Sequence, residues 1–437
     1  MVQVRAKDKD SPYRDWYVWS KTRPPNANKG MVFPGVQKTT WSWDAEARQW
    51  YFHRFYDFQP DLNTANPQVR TEIQRIMGFW LQLGVSGFRV DAVPFVIGSK
   101  GPRVRKPLEH FEWIRDMRNF LQWRTGDAVL LAEANVLPDQ DLNYLGRNDD
   151  RMHMMFNFLV NQNLFYALAS ADVRPLVGAM RRTRKRPETG QWANFLRNND
   201  ELDLGRLTDE QRQTVFDAMG PEQSMQLYNR GIRRRLAPML HNDRRRLELA
   251  YSVMFTLPGT PVIRYGDEIA MGDDLRLHER QAVRTPMQWS SEPHAGFTKA
   301  DKPVLPIIDD AIYGYERVNV ADQRRDPQSL LNWTERIIRM RKECPEIGWG
   351  DWTVMATRNP HVLAIRYDWR GNSVLVVHNF SPEPQSVSID AGEDTLVNLL
   401  SEDHSNSKSG VHRLALEAYA YRWFRVGGLA YILERER

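Results

Sequence analysis

Apolar positions in the first two thirds of the chain follow two alternating rhythms. Val69, Ile73, Ile76, Trp80 and Leu83 recur at helical spacing, behind an Asn66-Pro67 start and before Gly84. An asparagine cap followed by proline in the first turn opens a helix well. The run Gly87-Phe88-Arg89-Val90-Asp91-Ala92-Val93 then reads as a buried strand. A helix around Phe111 to Trp123 leads to a second strand, Val129 to Glu133. Further strands are expected at Met154 to Phe158, Phe195 to Arg197 and Val262 to Tyr265. Apolar strands separated by helices imply a parallel sheet with both faces covered, and this many repeats point to a (β/α) TIM-type barrel.

After a helix near Leu330 to Lys342 the rhythm changes. Val362 to Tyr367 and Val374 to His378 flank Trp369-Arg370-Gly371-Asn372, which predicts an antiparallel hairpin. The tail continues in this manner, so a C-terminal antiparallel β-sandwich is expected. The chain shows no repeats and no low-complexity tract.

Composition adds little to this picture and excludes some classes. The 437 residues are 41% hydrophobic and 26% charged, ordinary for a globular protein and incompatible with wholesale disorder. The 15 Trp and 15 Tyr offer flat amphipathic rings that suit a pyranose surface, and a large core would use them equally well. Cys344 is the single cysteine, so no intrachain disulfide forms and nothing argues for an oxidising compartment. No stretch has signal-peptide or membrane-spanning character, which makes a cytoplasmic location the expectation. The net charge of +5 rests on runs such as Arg181 to Arg186 and Arg233 to Arg235. Acids are scattered between these runs and no nucleic-acid module accompanies them, so they read as solvated helix faces. Neither a nucleic-acid nor a membrane partner is expected.

Acids at expected strand ends carry the candidate chemistry. Arg89 and Asp91 lie two apart on a strand and share a face. An arginine beside a carboxylate keeps it ionised, and an ionised, oriented aspartate can attack an anomeric carbon. A plain structural ion pair would also account for them. Glu133 ends the next strand behind four apolar residues, an environment that favours the neutral acid and suits proton donation; a solvated strand-end glutamate is the alternative. Asp200 follows Phe195-Leu196-Arg197 and would serve equally as a helix cap. In a barrel, such strand ends converge on one mouth.

The segments around these acids resemble the α-amylase superfamily of retaining glycosidases. Gly87 to Pro94 is similar to its nucleophile segment, Leu130 to Asn135 to its acid/base segment, and Leu196 to Leu202 to the segment of its transition-state-stabilising aspartate. Gln59-Pro60-Asp61-Leu62-Asn63, Gly259-Thr260-Pro261, Tyr265 to Glu268 and Arg284 to Trp289 extend the likeness in the family's order. Asp15 to Trp19, Gly231 to Pro238 and Tyr313 to Val320 resemble the trehalose synthase branch. The resemblance implies a covalent glucosyl-enzyme on Asp91, Glu133 as acid and base, Asp200 holding sugar hydroxyls, and Arg89, Asn199, Arg284 and Phe95 as substrate-binding side chains. The implied substrate is a disaccharide such as maltose or trehalose. Glucosyl isomerisation with side hydrolysis is the leading reading; an α-glucosidase and a truncated, non-catalytic sugar-binding relative are the alternatives.

The chain also departs from the family pattern. The family's aspartate and Asn-His pair at the third barrel strand have no counterpart, and Asn199 stands where relatives carry histidine. Residues 1–63 resemble the remnant of a domain inserted between barrel strands three and four. Residues 64–346 are expected to form the later barrel strands, about five of eight, and residues 347–437 the sandwich. An open parallel sheet of this kind would expose an edge and part of its core. Calcium is an implied ligand of this branch, with Asp61 as its remaining candidate; six to eight oxygens are usual for that ion, so a structural role for Asp61 is favoured. An oligomer is compatible with the sequence, which does not fix its state.

Overall fold

The computed structural model describes residues 2–104 and 107–427. The chain forms two compact units, Met1–Phe156 with Lys185–Gln191, and Asn157–Arg184 with Trp192–Arg437.

The first unit opens with a small antiparallel sheet of β1 (Trp19–Ser20), β2 (Trp41–Asp44) and β3 (Gln49–Phe52), with β3 central. Trp41 pairs with Phe52 across β2 and β3, and the rings meet edge-on at 5.3 Å inside a cluster with Val18 and Ala27. Helix Pro67–Gln82 follows, and the Asn66 side chain accepts from the Gln68 N–H, the cap that the sequence predicts. Its buried face differs from the expected stripe. Val69 and Met77 are buried, whereas Ile76, Phe79, Trp80 and Leu83 are exposed. Helix Phe111–Arg124 buries Trp113, Ile114, Met117 and Leu121 on one stripe.

Three parallel strands complete this unit: β4 (Gly87–Val90), β5 (Val129–Ala132) and β6 (Met154–Phe156), with β5 central. Leu130 and Ala132 are buried, as a covered parallel strand requires. β4 pairs only with β5 among the described residues. It is also shorter than expected and only half buried. Ala92 turns into the left-handed region at φ 46°, and Pro94 starts a short helix, Val93–Ile97, where strand was expected.

In the second unit, β7 (Gln191–Phe195, its first residue belonging to the first unit) runs parallel to β11 (Thr260–Val262) with Ala193 opposite Thr260. Both strands start and end earlier than the apolar pattern suggests. The buried Asn194 explains part of the difference, because its side chain donates to the Pro258 carbonyl at 3.1 Å and makes a polar residue a strand member. Gly259 adopts φ +138°, and a Cβ there would meet the Trp192 carbonyl at 2.6 Å, so only glycine fits the turn. Between these strands lies a three-stranded antiparallel sheet of β8 (Leu202–Asp203), β9 (Gln226–Leu227) and β10 (Gly231–Ile232), with β10 central.

Helices Phe158–Ser170, Arg174–Arg182, Asp209–Met219, Arg244–Thr256 and Leu330–Lys342 contribute to one large core that also takes in Ile365, Tyr367, Val376 and Trp423. Those last residues belong to a six-stranded antiparallel sheet of β12 (Asp351–Val354), β13 (Val362–Trp369), β14 (Asn372–Asn379), β19 (Tyr421–Val426), β16 (Leu396–Asn398) and β17 (His404–Ser405), in that order, with β13 and β14 joined as a hairpin. Arg370 and Gly371 both have positive φ, the geometry of the two-residue turn read from the sequence. β15 (Gln385–Asp390) pairs with β18 (Val411–Leu416), and a second apolar cluster including Leu375, Val377, Ile389 and Phe424 fills the sandwich. No helix among the described residues is long and apolar enough to cross a membrane.

Candidate active site

β4 and β5 set the first group of candidate side chains. Their register pairs Val90 with Ala132, and the ladder continues as Glu133 donates its N–H to Val90 and Val93 donates to Glu133. Asp91 and Glu133 therefore leave adjacent strands at the same level. Arg89 joins them: Nη1 lies 2.6 Å from Asp91 Oδ1 and Nη2 lies 2.6 Å from Glu133 Oε2. One planar guanidinium thus holds two carboxylates at a fixed spacing, a use for which arginine is suited. The Ala92 N–H also reaches Glu133 Oε2 at 3.4 Å, from a backbone conformation that a non-glycine residue adopts at a cost.

The Glu133 carboxylate, 15% exposed, faces a cation in place of the apolar wall that the sequence suggested. Asp91 is open, with its side chain 69% exposed. Phe95 packs edge-on against Phe55 at 5.6 Å and lies near the Arg54 guanidinium at 5.1 Å, so its ring belongs to an aromatic cluster.

Asp61 sits in the same unit and accepts from the Arg54 N–H at 2.8 Å. Its other oxygen lies 3.8 Å from the Lys100 ammonium, which donates to the Leu62 carbonyl at 3.0 Å. Burial raises the Asp61 carboxyl above its usual range and lowers the Lys100 ammonium below its own. The pair survives on proximity against desolvation. These residues do not fit a calcium ion: an ammonium occupies the cation side of the carboxylate, and no group of three or more His, Cys, Asp or Glu among the described residues could hold a metal.

The second unit carries Asp200. Its Oδ1 accepts from Arg284 Nη2 at 2.7 Å and lies 3.1 Å from Arg280 Nη1, while Arg284 Nε donates to the Asn199 carbonyl at 2.8 Å. Its backbone is fixed too, since the Asp200 N–H donates to Asn198 and Arg197 Nη2 donates to the Asp200 carbonyl. Asn199 is exposed. Sequence reading missed two members of this group. Arg280 donates to the buried Glu201 at 2.7 Å. Burial raises the Glu201 carboxyl even so, and burial alone would lower Arg280, but Glu201 and Asp200 hold it above its usual value. Arg280 lies in a short 3-10 turn with no periodicity to mark it, whereas Glu201 stands beside Asp200 and was open to notice.

Carboxylates paired with arginines thus stand beyond the ends of parallel strands, in a chain that continues into antiparallel strands. Residues 2–350 match the α-amylase catalytic domain, and residues 371–425 match the sucrose hydrolase-like C-terminal domain. The chain belongs to the α-amylase family. Trehalose synthase of Thermus thermophilus is 39% identical over 428 residues, covering 96% of this chain and 44% of that protein. Trehalose synthase of a Pimelobacter species is 39% identical, covering 89% of this chain and 70% of that one. For the trehalose synthase/amylase of Mycobacterium tuberculosis the identity is 38%, with 89% and 66% covered. The chain thus spans between 44% and 70% of the length of these relatives. Among solved structures, an α-amylase from H. orenii is similar with a TM-score of 0.75 at 22% identity, covering 97% of this chain and 77% of that one. Isomaltulose synthase from a Klebsiella species gives 0.73 at 22% identity, with 97% and 80% covered. The fold is therefore that of the α-amylase barrel with an antiparallel C-terminal domain.

Proposed function

We propose that this chain carries the machinery of a retaining α-glucoside-active enzyme of the trehalose synthase type. The observation that carries the reading is the Arg89 bridge, which holds Asp91 and Glu133 together at the ends of neighbouring strands. Retaining glycosidases need two carboxyls about 5 Å apart. On this reading Asp91 attacks the anomeric carbon of the non-reducing glucose while Glu133 protonates the departing oxygen. A covalent glucosyl-aspartate forms. Glu133 then takes a proton from the incoming hydroxyl, and that oxygen displaces Asp91 with net retention. Asp200, oriented by Arg284, accepts hydrogen bonds from sugar hydroxyls. The same reading assigns residues 1–63 to an inserted domain, 64–346 to the barrel and 347–437 to the sandwich. Support comes from the trehalose synthases that share 38–39% of their aligned residues with this chain.

The exposure of Asp91 favours a second reading, hydrolysis. An isomerase must keep water from its covalent intermediate while the leaving glucose turns, and an open carboxylate does not do this. Incubation of the chain with maltose, resolving trehalose from free glucose and using Asp91→Asn as the control, separates the readings. Trehalose lost in the variant supports the isomerase. Glucose alone, lost in the variant, moves the activity to an α-glucosidase. No product from a folded, sugar-binding chain leaves a non-catalytic relative.

A further inference from the structure

The two arginines that hold Asp200 come from a segment with little regular structure of its own. Between Asp274 and Arg284 the chain forms no strand and one short 3-10 helix, Glu279–Val283. Glu279 opens that helix at φ 45°, a left-handed conformation that costs a non-glycine residue energy. From here Arg280 reaches Asp200 and Glu201, and Arg284 reaches Asp200 and the Asn199 carbonyl. Both guanidiniums therefore depend on where the segment lies.

Arg233 fixes that place. It follows β10, and its own N–H donates to the Met225 carbonyl at 2.9 Å. Half-buried, it directs four of its five N–H groups at main-chain carbonyls. Nε donates to Ser224 at 2.7 Å and Nη2 to Leu275 at 2.8 Å. Nη1 donates to both Leu277 and Glu279, at 2.7 and 3.1 Å. Three alternate carbonyls of one segment thus converge on one guanidinium. Burial lowers this group, and Asp273 and Glu279 offset part of the effect by charge. Those two acids bond elsewhere: Asp273 pairs with Arg234, and Glu279 accepts from the Tyr228 hydroxyl at 3.3 Å.

The anchor is itself tied to Asp200. β10 pairs with β8, Ile232 opposite Leu202 and Gly231 opposite Asp203, and β8 begins two residues after Asp200. A Cβ on Gly231 would lie 2.6 Å from the Glu201 side chain, so the backbone passes close to that residue. The contacts close a circuit. It runs from Asp200 through β8 and β10 to Arg233, across to residues 275–279, and back through Arg280 and Arg284 to the same carboxylate. We infer that Arg233 is a positioning residue for Asp200, setting the direction of a carboxylate to which it donates no hydrogen bond. The role rests on the reading of Asp200 as the group that holds sugar hydroxyls.

The test uses Arg233→Gln and Arg233→Lys, each alone and with Asp200→Asn, in the full chain. Lysine keeps the charge but not the fork that spans three carbonyls, so both substitutions should act alike. Urea unfolding reads the coupling without turnover. Residues with independent roles give additive losses. Here the double variants should lose clearly less than the sum, because the grip on Asp200 is already slack once the clamp is gone. With maltose, kcat should fall by roughly 10²-fold, the scale of a displaced active-site geometry, while KM stays within about twofold. Should Arg233→Gln not fold, the lysine variant carries the cycle alone. Additive losses would overturn the role, and so would parental kcat in the variants or full rescue by lysine. A parent chain that never turns maltose over removes the proposed reaction instead, and the unfolding cycle still decides for or against Arg233.

Discussion

Arg89 Nη2 stands 2.6 Å from Glu133 Oε2, so a β4 residue positions a β5 carboxylate that the sequence keeps far away. The same guanidinium reaches Asp91, and its two arms set the spacing of the acids. Arg89→Lys keeps the charge and loses the fork. Turnover of an α-glucoside should fall by roughly 10²-fold, the scale of losing one oriented donor, while Tm changes little. Activity close to the parent would show that the bridge is not used.

Lys100 and Asp61 predict indifference to chelators. EDTA and calcium should both leave Tm unchanged, whereas Lys100→Met leaves the buried Asp61 carboxylate without its cation. Breaking a buried pair from one side costs about 3–5 kcal/mol. A melt that drops in EDTA would return the site to a metal.

Stability should weaken in mild acid, in part through His153. Its Nδ1 accepts from the Leu130 N–H at 3.0 Å, and burial, with Arg118 adding to it, lowers the imidazole to about 4 from 6.5. The folded state thus binds its proton later than the unfolded chain does. The contribution is present above about 6.5 and is lost as pH falls towards 4. His153→Gln should flatten the Tm profile across that window. An unchanged slope would assign the loss to other groups, among them the buried His378, lowered to about 3.

Glu201 and Arg280 form a pair in which each partner alone is a liability. Arg280→Met should lower stability by about 3–5 kcal/mol, read by urea unfolding. Adding Glu201→Gln should restore a large part of it, since the stranded charge is then gone. Strictly additive losses would contradict the pairing.

Much of this architecture is legible from local rules. The Asn66 cap, the Arg370-Gly371 turn and the parallel strands follow from residue type and spacing. Burial is less legible, because it depends on what packs where: Ile76 and Trp80 keep helical spacing and still face solvent. Asp91 and Glu133 were visible as strand-end acids, yet the second arm of Arg89 required the register of β4 on β5.

The one-sided pairing of β4 has a practical cost. Among the described residues β4 shares a ladder with β5 alone, and helix Pro67–Gln82 of the same unit turns Phe79, Trp80 and Leu83 outward. Surfaces of this kind favour self-association at high concentration. Binding of a dye such as ANS is expected to report on this flank, and replacing Trp80 by a polar residue should lower it.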